Sequence, residues 1–149
     1  MEVQSHIREA TEKDAEGLQR CMEQAYALYV PRLGGQLLPP QLANYEEEIS
    51  NYPVWVIEAN GEIAAGLVMH FENKQASLMN IAVSPDFQGQ GFGKALMIFA
   101  ENQAKERDCE VMELATHYML VENVALYQRA GWETYDMDDL RIYMKKTLV

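Results

Sequence analysis

Gln88, Gly89, Gly91 and Gly93, followed by Lys94, stand within the run VSPDFQGQGFGK at 83–94. Glycines at this density let the main chain come close to a ligand. A helical pattern begins where they end, and the first N–H groups of any helix lack internal partners. Those donors, at the positive end of a helix dipole, suit a diphosphate. A second chemistry-bearing pair is Asn123 and Tyr127, four residues apart and so on one face of a helix. For Tyr127 the competing reading is an amphipathic tyrosine with its ring in the core and its hydroxyl wet. For the glycines it is a bare structural turn.

Three phosphate loops compete for the glycine run. A Walker A loop needs G-x-x-x-x-G-K-[ST]; Gln88 stands where its first Gly belongs, and Ala95 lacks the hydroxyl that would hold Mg²⁺. A dinucleotide fingerprint begun at Gly89 and Gly91 reaches Lys94 instead of its third Gly. The third pattern, Q/R-x-x-G-x-G/A, is matched by Gln88, Gly91 and Gly93. It resembles the acetyl-CoA pyrophosphate loop of the GNAT-family N-acetyltransferases, and Ile81-Ala82-Val83-Ser84-Pro85 is similar to that family's fourth strand and its exit. The resemblance implies that the backbone of Ile81, Ala82 and Val83 binds the pantetheine arm. It implies that the loop Gln88, Gly89, Gln90, Gly91, Phe92, Gly93 and Lys94 holds the pyrophosphate.

The block ENVALYQRAGW at 122–132 resembles the same family's last helix, which commonly ends in A-x-x-L-Y-x-x-x-G-[FW]; Leu126, Tyr127, Gly131 and Trp132 match. Gly131 falls where a helix C-terminus needs a left-handed residue. By resemblance, Tyr127 points its hydroxyl at the thioester sulfur as a general acid. The family's usual Asn, seven residues before the Tyr, is Leu120 here, and Asn123, one turn closer, is the cofactor contact instead. The resemblance implies acetyl-CoA as acyl donor, no metal, and an amine-bearing acceptor whose identity the sequence leaves open. Dimerisation is common in the family, so a homodimer is among its implications. A non-catalytic acyl-CoA-binding or regulatory module with the same fold is the competing function.

An attacking amine must be neutral, so a proton has to leave. Glu72, Glu113 and His117 lie in or beside predicted central strands and are the base candidates, against their reading as surface residues, salt-bridge partners or packed polar groups. A water relay without a single base competes with them, and His6 and His70 are weaker candidates. In the family, the first two helices overhang the acceptor site. There Tyr26 and Tyr29 would pack against an acceptor and Arg32 would pair with a carboxylate, against core tyrosines and a solvated arginine.

The elements that must position these residues follow from periodicity. Residues 3–9 read as a strand, and Thr11 with Asp14 starts a helix through Leu18, Cys21, Met22, Ala25, Tyr26 and Tyr29. A second helix spans roughly 40–50, with Leu42, Tyr45 and Ile49 on one side. Strands at 53–59 and 62–71 flank the hairpin turn Asn60-Gly61, and a third covers 76–83. A helix follows the glycine loop, then a strand at 109–116, parallel to its predecessor because a helix intervenes. The Tyr127 helix and strands near 132–137 and 140–147 complete the chain. This order is like the GNAT fold: a single α/β domain over 1–149, with a mixed, mostly antiparallel sheet. The splay of its parallel strand pair is implied by the family alone.

The 149 residues suit one domain with a proper core. A net charge of −11 argues against nucleic acid; it mildly favours cationic amines by long-range attraction, against the stronger reading of ordinary solubility. No segment approaches the roughly 20 apolar residues of a membrane span. No signal peptide opens the chain, and Cys21 and Cys109 lack ligand or disulfide spacing. The expectation is a cytoplasmic protein.

Overall fold

A computed structural model of the chain describes residues 6–148. Seven strands form one sheet in the order β1-β2-β3-β4-β5-β7-β6. They are β1 (Ile7–Glu9), β2 (Val54–Ala59), β3 (Glu62–Glu72), β4 (Gln75–Val83), β5 (Val111–His117), β6 (Glu133–Met137) and β7 (Arg141–Thr147). Residues 3–5 of the expected first strand lie outside the described residues. Every neighbouring pair is antiparallel except β4–β5. The mixed, mostly antiparallel sheet read from the sequence is therefore the one observed.

Local chemistry explains the hairpins. Asn60 and Gly61 both have positive φ (53° and 76°), the twist a two-residue hairpin turn needs. Asn73 and Lys74 repeat that geometry, at 50° and 64°, between β3 and β4.

Helices cover both faces of the sheet, and strand alternation sorts the side chains between them. On one face Val54, Val56, Val68 and Ala82 meet Leu18 and Met22 of α1 (Ala15–Ala27). On the other, Trp55, Ile57, Leu67 and Met69 meet Leu96, Ala100 and Ala104 of α4 (Phe92–Glu106). Gly66 lets α1 press onto β3, since a methyl group there would overlap the Leu18 side chain. Capping starts the first helix as expected: the Thr11 N–H donates to Asp14 Oδ2 at 2.8 Å, and Arg8 grips the same carboxylate. No helix among the described residues is long and apolar enough to cross a membrane.

Two expectations are corrected. The single helix expected at roughly 40–50 is two short ones, α2 (Pro39–Leu42) and α3 (Tyr45–Asn51). Ala43 is extended between them, and the Asn44 side chain accepts the Glu47 N–H at 3.2 Å, opening a new helix. Leu42 accordingly points outward, 66% exposed, while Tyr45 is buried. The first helix stops at Ala27, so Tyr29 sits in the turn beyond it, before a 3-10 turn at Pro31–Leu33 and left-handed Gly34.

Candidate functional site

The parallel pair β4–β5 is bonded only over Gln75–Ser77 and Val111–Glu113. Beyond that the strands part. On its β3 side, β4 carries a bulge: Val68 pairs with Asn80 and Met69 with Leu78, so Met79 is an extra residue. A bulge bends its strand and raises its twist. Meanwhile all of β5, Val111 to His117, stays laddered to β7 on its far edge. One strand turns away and the other is held, which leaves a cleft between Leu78–Val83 and Leu114–His117. The splay that the sequence implied only by resemblance is thus present in the register.

Within the cleft Ile81 and Val83 direct their carbonyls inward, where the Tyr26 hydroxyl (3.0 Å) and the Gln88 amide (3.4 Å) donate to them. In an antiparallel ladder a residue's N–H and C=O point the same way, so the N–H groups of Ile81 and Val83 also face the cleft.

At the mouth of β4 a 3-10 turn, Pro85–Phe87, leads into the glycine loop. Gly89 and Gly91 have φ of 82° and 84°, the left-handed region that a side chain strains to enter. Gly91 immediately precedes α4, and the first helical bond is Ala95 N–H to Gly91 O. The N–H groups of Phe92, Gly93 and Lys94 are therefore donors without helical partners. α5 (Val121–Arg129) closes the other wall; only Tyr127 is buried there, its ring tilted against Trp132 at 5.9 Å. Gly131, with φ of 97°, ends this helix as expected.

A cavity of about 620 Å³ runs along this wall, lined by Tyr26, Tyr29, Ile81, Ala82, Val83, the loop Gln88–Lys94 without Gln90, Asn123 and Tyr127. Gln90 is exposed and does not line it. Lys94 and Arg129 bring positive charge to its lining. A second cavity of about 460 Å³ lies on the far side of the splay, walled by the 33–40 segment, β4, the end of β5 and the start of β7. Tyr26, Ile81, Asn123 and Tyr127 line both.

Burial pushes the Tyr127 phenol up to about 12, so it holds its proton at neutral pH. Among the described residues its hydroxyl donates to no protein group. Burial likewise raises the Tyr26 phenol, and nearby tyrosines add to the effect.

Of the three base candidates only His117 lines a cavity, the second. Its Nδ1 accepts the Met119 N–H at 3.1 Å, so the neutral ring carries its proton on Nε2 as a donor. Glu72 is exposed at the end of β3, 3.5 Å from His70. Glu113 faces Tyr135 on β6. Neither lines either of these two cavities. Arg32 also lines neither, because its guanidinium is taken by Glu122 (2.7 and 2.9 Å) and the Met119 carbonyl (3.1 Å). It lies over the Tyr29 ring at 5.2 Å and straps the turn after α1 to α5. The Arg32 guanidinium in turn lowers the Glu122 carboxyl to about 2.

Sequence reasoning found Tyr26, His117, Asn123 and Tyr127 but missed Gln36, Asn80, Thr116 and Arg141, the remaining polar groups of the second cavity. They come from four separate segments, and no motif joins them.

The model of the acetyltransferase (GNAT) family matches residues 20–132. The [ribosomal protein bS18]-alanine N-acetyltransferase of Escherichia coli K12 is 33% identical over 73 residues, 49% of each chain. The chain thus spans about half the length of that relative. The uncharacterized N-acetyltransferase YjgM of Escherichia coli K12 is 28% identical over 138 residues, 87% of this chain and 83% of its own. Among solved structures, the PaiA N-acetyltransferase of Thermoplasma acidophilum in complex with coenzyme A superposes with a TM-score of 0.80 at 18% identity, over 95% of this chain and 97% of that one. The ribosomal-protein-S18-alanine N-acetyltransferase of Escherichia coli gives 0.74 at 23% identity, over 95% and 92%.

Proposed function

Because the chain belongs to the acetyltransferase (GNAT) family, we propose that it transfers an acetyl group from acetyl-CoA to a primary amine. The observation that carries this reading is the meeting of two cavities at Tyr26, Ile81, Asn123 and Tyr127. A module that only binds acyl-CoA needs the first cavity; transfer needs a second, opening on the same point from the other side.

The first cavity fits the donor on its own chemistry. It offers partnerless N–H groups at the start of α4, two cations, an open strand edge, and left-handed glycines with nothing within 4 Å of where a Cβ would stand. The N–H groups of Phe92, Gly93 and Lys94 would hold the diphosphate, and the edge of Ile81–Val83 the amides of the pantetheine arm. Asn123 would add a contact from α5. Acetyl-CoA supplies a thioester whose acyl carbon a neutral amine can attack.

The residues then divide the work. A cleft-facing N–H of Ile81 or Val83 would polarise the acyl oxygen. Tyr127 would donate to the departing sulfur. With its phenol at about 12, full proton transfer to an ordinary thiolate (about 8.5) runs uphill. Its acid role is therefore to share its proton with sulfur while charge develops. His117 Nε2–H would act as a donor to the acceptor, and water at the open mouth would take the amine's proton.

Thermal unfolding with acetyl-CoA, CoA, ATP and NAD added separately tests the donor site. At about 100 times Kd a ligand of the native state adds about 2.7 kcal/mol. The expected result is stabilisation by acetyl-CoA and CoA alone, followed by amine-dependent thiol release. A transition unmoved by all four would remove the donor site. CoA binding with no thiol release across free amines, amino acids and peptides would leave a binding module.

A further inference from the structure

We infer that the second cavity takes an amine whose apolar body carries a carboxylate, and that Arg141 is the group that reads the carboxylate. The inference rests on the reading of the first cavity as the acyl-donor site.

Charge is the first argument. The chain holds 23 acidic and 12 basic residues, yet among the described residues no Asp or Glu lines this cavity, and Arg141 is the one Lys or Arg that does. Long-range attraction from a net charge of −11 draws cations to the protein as a whole. On the cavity lining itself the one formal charge among the described residues is positive, that of Arg141. A polyamine would bring further ammonium groups to Arg141 with no carboxylate to receive them. An acceptor carrying an anion would pair with Arg141 while its amine reaches the junction at Tyr127.

Availability is the second. Asp138 is the acid nearest to Arg141, but it is already engaged: Oδ1 accepts the N–H groups of Leu140 and Arg141 at 2.9 and 2.7 Å, and Oδ2 accepts the Tyr143 hydroxyl at 2.6 Å. The Arg141 guanidinium approaches Asp138 only through Nε, at 3.9 Å. Its terminal nitrogens have no protein acceptor among the described residues. Arg32, by contrast, has both terminal nitrogens filled by Glu122.

Placement is the third. Arg141 pairs across the β5–β7 ladder with His117, so their side chains leave the same face of the sheet, and both line the cavity. With Nδ1 engaged by Met119, His117 presents Nε2–H, a second donor for the same anion. The lining also carries five aliphatic side chains, Leu33, Leu37, Leu78, Leu114 and Leu120, beside the neutral polar groups Gln36, Asn80 and Thr116. A cationic donor pair in a cavity of leucines and neutral polar groups that opens on Tyr127 describes an acceptor of amino-acid or short-peptide type.

The test uses products, which need no turnover. The CoA-saturated full chain is titrated calorimetrically with N-acetyl-L-leucine and its carboxamide, then with N-acetyl-L-leucyl-L-leucine and its carboxamide. Each pair differs only in the charge, and the two lengths sample the reach to Arg141. In at least one pair the acid should bind about five- to tenfold tighter, the worth of one charge-assisted hydrogen bond to a partly solvated arginine. That preference should vanish in Arg141→Gln and survive in Arg20→Gln, which removes the same charge from the exposed face of α1. A CoA-induced thermal shift of the Arg141→Gln protein shows that it is folded. Equal affinities in both pairs, no binding by any of the four, or a preference that survives Arg141→Gln would overturn the inference and leave the donor site standing. Failure of CoA itself to bind would instead remove the donor-site reading, and this inference with it.

Discussion

Replacing Tyr127 by Phe removes one hydroxyl from a ring that is 9% exposed and leaves its packing against Trp132 in place. The hydroxyl donates to no protein group among the described residues, so the folded state loses no hydrogen bond. The stability change near neutral pH should stay within about 0.5 kcal/mol. Catalysis should respond quite differently. If the phenol donates to a sulfur that becomes charged only as the bond breaks, its loss falls on kcat by roughly 10²-fold, with the CoA Kd within about twofold. The phenol titrates at about 12, above its ordinary 10, so the wild-type profile of kcat should show no Tyr127 limb below about pH 11. The same shift is a statement about stability. The folded protein holds this proton more tightly than the unfolded chain does, so stability is intact below about pH 10 and is lost as pH rises toward 12. Two units correspond to about 2–3 kcal/mol, which Tyr127→Phe should recover. Single-turnover kinetics, which isolate the chemical step, and alkaline unfolding curves measure the two effects. Unchanged single-turnover rates in a folded, CoA-binding Phe variant would refute the reasoning.

Two further outcomes are expected. Gly91→Ala forces a Cβ into the left-handed region at φ of 84°; it should cost about 1–2 kcal/mol of stability and weaken CoA binding, read from the melting temperature and a CoA titration, and an unshifted melting temperature would contradict the strain. The Glu122 carboxyl lies at about 2 beside Arg32, below its ordinary 4.5, so the pair stabilises the fold above about pH 4.5 and that help is lost as pH falls toward 2; the acid limb of unfolding should be shallower in Arg32→Ala, and an unchanged limb would show that this exposed pair contributes nothing.

The parts of the site that were legible in the sequence are those where backbone geometry dictates residue type. Gly89, Gly91 and Gly131 all stand at positive φ of 82° to 97°, a demand that glycine meets with least strain and that the sequence therefore displays. Tyr127, which lines both cavities, was singled out because the block ENVALYQRAGW resembles the family's last helix. What depends on register or on a side chain's choice of partner was not legible. The bulge at Met79 shifts the pairing of β4 by one residue, and nothing in the composition of the run 75–83 requires it there. Glu72 and Glu113 were named for their strands, but a strand gives two faces, and which face meets the cleft depends on that register. Arg32 was named for its charge; Glu122, ninety residues away, decides what the charge does. The break at Ala43 turns on one side-chain acceptor, Asn44.

The same separation governs the reading of charge. A net charge of −11 is a sum over positions and fixes the field far from the molecule, where the Debye length of about 8–10 Å already attenuates it. Recognition happens inside that length, where single side chains dominate. The described residues that line the two cavities include Lys94, Arg129 and Arg141 and no carboxylate, so the acidic groups are kept out of both. On the proposed reading both occupants carry negative charge: a diphosphate on one side, a carboxylate on the other. An acidic exterior would slow the arrival of such anions, while the basic lining would hold them once inside. Association of an anionic acceptor should therefore quicken with added salt, as the outer field is screened, even as its dissociation quickens through the weakened pair with Arg141.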